Sequence, residues 1–63
     1  MMGDAQAYAQ ALRAMGTVAA YRMYAYTGTL PAKYVQHVQA WRTHGLFAGR
    51  RLTTLGQQVL QQL

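Results

Sequence analysis

The chain has 63 residues, six of them basic and one acidic, for a net charge of +5, and it contains neither cysteine nor serine. A chain this short forms one domain that buries only about 60% of its unfolded surface, and with no disulfide or cysteine metal site it must rely on well-packed helices or on association with a partner. The single carboxylate, Asp4, excludes paired acid–base work and a Mg²⁺ or Ca²⁺ cage, and the missing Ser and Cys remove the common nucleophiles, so the composition argues against an enzyme and calls for no cofactor.

Asp4 suits a helix start, where a carboxylate favours the positive end of the helix dipole. From there to Thr27 the pattern is helical. At about 100° per residue, Tyr8, Leu12, Met15, Ala19, Met23 and Tyr26 fall on one face, expected inward. Gln6, Gln10, Arg13, Thr17 and Tyr24 fall opposite. Gly16 interrupts the run and Thr17 is a reasonable N-cap, so both one long helix and two helices, about 4–15 and 17–27, fit the pattern.

"TGTLP" then ends the run. Gly28 suits a C′ position with positive φ, Thr29 a cap, and Pro31 a first helical turn. A helix over 30–44 follows, with Tyr34, Val35, Val38 and Trp41 inward, and Ala32, Lys33, Gln36, Gln39, Ala40 and Thr43 outward. Gly45 closes it. "LF", "AGR" and "RL" read as a small β-hairpin over 46–52. Thr54 and Gln57 have the spacing of a capping box, opening a last helix striped by Leu55, Val59, Leu60 and Leu63.

The order helix, helix, turn, helix, hairpin, helix resembles a winged helix-turn-helix domain, and the likeness covers roughly residues 17–63. "GTLPAKYVQHVQAWRTHGLF" is similar to that family's turn and recognition helix: Gly28 ends the second helix, Val35 and Val38 follow at helical spacing, and Trp41 precedes Gly45-Leu46. "RLTTLGQQVL" is similar to its strand-to-helix ending, through Leu52, Thr53, Leu55, Gly56, Val59 and Leu60. The expected fold is mainly α with a small β-hairpin, a minimal winged helix-turn-helix in one domain over 1–63.

The resemblance implies that helix 30–44 enters the major groove of double-stranded DNA and that the 46–52 hairpin is the wing. Lys33, Gln36 and Gln39 would then face DNA, with Ala32 and Ala40 allowing close approach. Glutamine can bond adenine bidentately, and lysine can reach guanine or phosphate. The plainer alternative is the solvated face of an amphipathic helix. Arg50 and Arg51 sit at a hairpin tip without neighbouring acids, so phosphate contact competes there with simple solubility and protection of a strand edge. Arg42 lies beside the inward stripe and can snorkel or stack on Trp41; Arg13 and Arg22 read as structural or interfacial.

His37 and His44 are seven residues apart, two turns along one face and too distant to share a metal; either can meet DNA or a partner's carboxylate. Tyr21 and Tyr24 are the candidates for a dimer or partner surface, since tyrosine is enriched at binding hot spots. No stretch of about 18 apolar residues is present, no basic-then-apolar leader opens the chain, and the basic residues are dispersed, so no membrane role and a cytoplasmic location are expected. Two functions compete. One is a small basic DNA-binding protein, a transcriptional regulator acting as a homodimer. The other is a protein-interaction module, such as a phage-encoded inhibitor of the anti-CRISPR kind, which binds an acidic or nucleic-acid-binding protein.

Overall fold

In a computed structural model, described here for residues 2–63 without the Met2 side chain, four helices pack together with a two-stranded ribbon at their edge. They are α1 (Met2–Met15), α2 (Val18–Thr27), α3 (Val35–Thr43) and α4 (Thr54–Gln62), with a 3₁₀ turn at Ala32–Tyr34 leading into α3. Strands β1 (Phe47–Ala48) and β2 (Arg51–Leu52) pair antiparallel, Phe47 opposite Leu52 and Ala48 opposite Arg51. This is the layout of a minimal winged helix.

Glycine decides where the first two helices end. Gly16 has φ 70°, and the amides of Gly16 and Thr17 donate back to the carbonyls of Arg13 and Leu12. That pair of bonds is a Schellman cap, which satisfies the last carbonyls of α1 and turns the chain. The region 4–27 is therefore two helices. Thr17 is not a side-chain cap: its hydroxyl donates to the Leu12 carbonyl at 3.3 Å, and the residue is buried. Gly28 closes α2 more simply, its amide donating to the Tyr24 carbonyl.

The turn at Gly16 resets the rotational phase of α2, and this overturns the expected inward face. Ala19, Met23 and Tyr26 in α2 are exposed, Tyr26 by 76%, and Met15, at the last position of α1, is exposed as well. Tyr21 and Tyr24, expected on a partner surface, are 0% and 5% exposed and sit at the centre of the core. Counting about 100° per residue through an αL glycine adds a rotation that the chain does not make. In α1 the buried residues are Ala5, Ala9 and Leu12. Two alanines on that face let the backbone of α1 lie close along α4.

The core is aromatic. Tyr21 meets Trp41 edge-on at 5.1 Å between ring centroids and Phe47 at 5.4 Å, while Tyr24 meets Phe47 at 4.8 Å. Edge-to-face packing sets the positive rim of one ring against the negative face of the next. Ala20, Val38, Leu46 and Val59 complete the buried hydrophobic set, and Leu52, Leu55, Leu60 and Leu63 pack around it. Val35, expected inward, is 49% exposed because it lies at the start of α3, on the side away from Trp41.

α3 ends in a second Schellman cap, with Gly45 and Leu46 amides on the Arg42 and Trp41 carbonyls. Two other expected caps differ. Thr29 bonds the Thr27 hydroxyl at 3.1 Å instead of starting a helix. Thr53, not Thr54, caps α4: its side-chain oxygen accepts from the Gly56 amide at 3.0 Å, one residue earlier than the capping-box spacing suggested. The Thr53 amide also donates to the Leu46 carbonyl at 3.1 Å. These bonds fix β2 and the start of α4 to the end of α3.

Candidate nucleic-acid interface

The wing is built by four residues. Ala48 and Arg51 close the ribbon around a two-residue turn of Gly49 and Arg50. Gly49 has φ 65°, a conformation that a residue with a Cβ rarely adopts, and Arg50 does not. Positive φ at the first turn residue alone is the backbone signature of the II′ hairpin, whose twist matches that of paired strands. The tip therefore presents Arg50 at its apex and Arg51 at the strand edge, both exposed. Neither side chain forms a hydrogen bond among the described residues, in contrast to those of the other three arginines.

Those three hold the fold. Arg13 donates to the Gln62 carbonyl and Arg22 to the Leu63 carbonyl, at 2.6 Å for the second. Both place a cation at the carbonyl end of α4, where the helix dipole favours it. Arg42 does not stack on Trp41. Its Nε donates to the Gly49 carbonyl and its terminal nitrogen to the Tyr24 hydroxyl, each at 3.0 Å. One side chain thus ties the wing turn to both α2 and α3.

Around α3, the successive 100° steps sort the sequence candidates into three groups. Gln39 turns toward the wing and lines, with Arg50, a concavity of about 360 Å³ formed with the α2–α3 connection. Gln36 is exposed on the outermost arc. Lys33, in the 3₁₀ turn, is exposed too, its Nζ 5.1 Å from the centre of the Tyr34 ring. His37 turns the other way. It is half-buried, stacked 6.4 Å from Trp41, and lines an apolar groove between α1 and α3.

That groove also holds His44, whose Nδ1 lies 3.4 Å from the Tyr8 hydroxyl. The two histidines face α1, and they do not join Gln39 and Arg50. Among the described residues no cluster of three or more His, Cys, Asp or Glu side chains could hold a metal ion. None of the helices is long and apolar enough to cross a membrane.

Sequence reasoning missed Arg42 as the residue that orients the wing. A signal for it existed, since it stands one residue after the inward Trp41 and seven before the turn glycine. Sequence reasoning also missed the exposed stripe of Ala19, Met23 and Tyr26. No family model, curated protein or solved structure matches the chain.

Proposed function

We propose that this chain is a small DNA-binding protein, a transcriptional regulator that lays α3 into the major groove of duplex DNA and sets its wing against the backbone. The observation that supports this best is the pairing of Gln39 with Arg50 around one concavity, with exposed Arg51 beside it. A base-reading side chain and a phosphate-binding side chain then face the same way. The net charge of +5 supplies the general attraction, because cations that neutralise phosphates release condensed counterions.

Electrophoretic shifts of a random duplex, measured against salt, test the reading. The logarithm of affinity should fall linearly with the logarithm of salt concentration. Replacing both Arg50 and Arg51 with alanine should weaken all sequences alike and reduce the slope by about two phosphate contacts. An unchanged slope, or no shift even at low salt, overturns it.

A second reading draws on the outer side of α2. Ala19, Met23 and Tyr26 make an exposed apolar stripe on a helix whose opposite side is already in the core. Such a stripe suits a protein partner, either a second copy or a protein with an acidic surface. Light scattering and co-purification distinguish it: loss of a complex in Met23→Gln/Tyr26→Gln, with no DNA shift by the parent chain, favours an interaction module.

A further inference from the structure

The concavity between α3, the α2–α3 connection and the wing turn has a mixed lining. Leu30, Val35 and Val38 supply apolar surface, and Val35 is half exposed there although it is a large hydrophobic residue. Gln39 and Arg42, from the same side of α3, and Arg50, from the wing turn, supply polar groups. Arg42 is already engaged by the Gly49 carbonyl and the Tyr24 hydroxyl, so Arg50 is the guanidinium left for a ligand. No carboxylate lines the space. Its volume, about 360 Å³, stands at the small end of ligand clefts, which run from about 300 to 1,000 Å³.

We propose that this concavity seats one nucleotide held out of the base stack, its phosphate against Arg50, its base against Leu30 and Val35, and its edge read by Gln39. The inference rests on the α3–wing face being a nucleic-acid surface, and it goes further by naming the unit bound there. Each kind of lining group matches one part of a nucleotide. A guanidinium binds phosphate oxygens in pairs. A carboxamide offers one donor and one acceptor, the complement of adenine's edge. An aliphatic wall takes the flat face of a base, as in other sites that accept extruded bases. Uracil and cytosine also offer a donor and an acceptor to a carboxamide, so adenine is favoured for its larger ring, which covers more of the aliphatic lining. Extrusion costs least where a base is unpaired, so the chain should prefer DNA with a single unpaired adenine over the same duplex fully paired.

Two measurements test this. The first is amide NMR titration of the 63-residue chain with AMP, UMP and ribose 5-phosphate. AMP should give saturable shifts at Leu30, Val35, Gln39 and Arg50, and bind about tenfold more tightly than ribose 5-phosphate. Gln39→Ala should weaken AMP and UMP but leave ribose 5-phosphate unchanged, and Arg50→Ala should weaken all three ligands. Both side chains are exposed, so both variants should keep the parent's far-UV circular dichroism. The second is a gel shift with a duplex and its counterpart carrying one unpaired adenine, which should bind about tenfold more tightly.

Equal binding of AMP and ribose 5-phosphate overturns the seat, as do AMP shifts confined to another face or equal binding of the two duplexes. A paired-duplex shift that still depends on Arg50 and Arg51 would then leave the DNA-binding reading standing. AMP binding at these residues, with a shift of the unpaired-adenine duplex but none of the paired one, would overturn that reading and keep the seat.

Discussion

The Tyr21 hydroxyl donates to the Gly56 carbonyl at 2.8 Å, joining the middle of α2 to the first turn of α4 across 35 residues of chain. The ring is fully buried among Trp41 and Phe47, and that burial pushes the phenol's ionisation well above its ordinary value of 10.0. Tyr21→Phe keeps the ring and removes the donor. The Gly56 carbonyl, which lies inside α4, keeps its helical partner and loses only this second bond, at a cost of about 0.5–1.5 kcal/mol in urea unfolding at pH 7.

The same group gives a pH dependence. Its folded-state value is raised above the unfolded one, so its stabilisation is complete below about pH 10 and is lost as the pH rises beyond that. The parent chain should therefore lose stability more steeply above pH 10 than Tyr21→Phe does. Equal alkaline slopes, followed by circular dichroism over pH 8–11, would contradict this account.

Gly56 also packs directly against the backbone of Leu46, in the segment just after α3. A Cβ built there would lie 1.9 Å from the Leu46 carbonyl oxygen, and both are backbone positions that side-chain motion cannot relieve. Gly56→Ala must therefore push α4 away from the core. It should cost more than about 3 kcal/mol, a large part of the roughly 3–9 kcal/mol that a chain of this length holds. A variant with the parent's melting temperature would mean that α4 sits elsewhere.

The legible parts of the fold were those with a local signal. Gly28 and Gly45 stood directly after periodic runs, the ribbon was marked by short apolar pairs around Gly49, and Val38, Trp41 and Val59 kept helical spacing. Arg50 and Arg51 could be expected outside because the chain has one acid to offer them. What could not be read locally was the face of α2. "VAAYRMYAYT" is apolar on nearly every side, so periodicity selects no unique face, and the register across Gly16 depends on a cap geometry that spacing does not encode. The pairing of Gln39 with Arg50 was hidden for a related reason. It depends on how the wing turn is tied to α3, which is a contact between elements.

The reset of α2 has a direct test in two neighbouring tyrosines. Tyr24 is packed against Phe47 and accepts a hydrogen bond from Arg42, whereas Tyr26 is 76% exposed. Tyr24→Ala should cost about 3–5 kcal/mol, as removal of a buried aromatic ring does. Tyr26→Ala should change the isolated chain by less than about 0.5 kcal/mol. Thermal melts of the two variants read the difference, and the opposite ranking would restore an unbroken helical phase from α1.

Arg42 allows charge and geometry to be separated at the wing. It reaches the Gly49 carbonyl with Nε and the Tyr24 hydroxyl with a terminal nitrogen, so two donors of one planar group hold two different elements. Lysine carries the same charge on a single nitrogen and cannot span both. Arg42→Lys should therefore cost about 0.5–1 kcal/mol, a small figure because solvent reaches this side chain. Amide exchange at Gly49, Arg50 and Arg51 should speed up as the turn loses its tie. DNA affinity should fall while the salt slope stays that of the parent, since no phosphate-neutralising charge is removed. Arg50→Ala/Arg51→Ala lowers affinity and slope together. If Arg42→Lys lowered the slope as well, Arg42 would itself be a phosphate ligand, and its role as the tether of the wing would have to be abandoned.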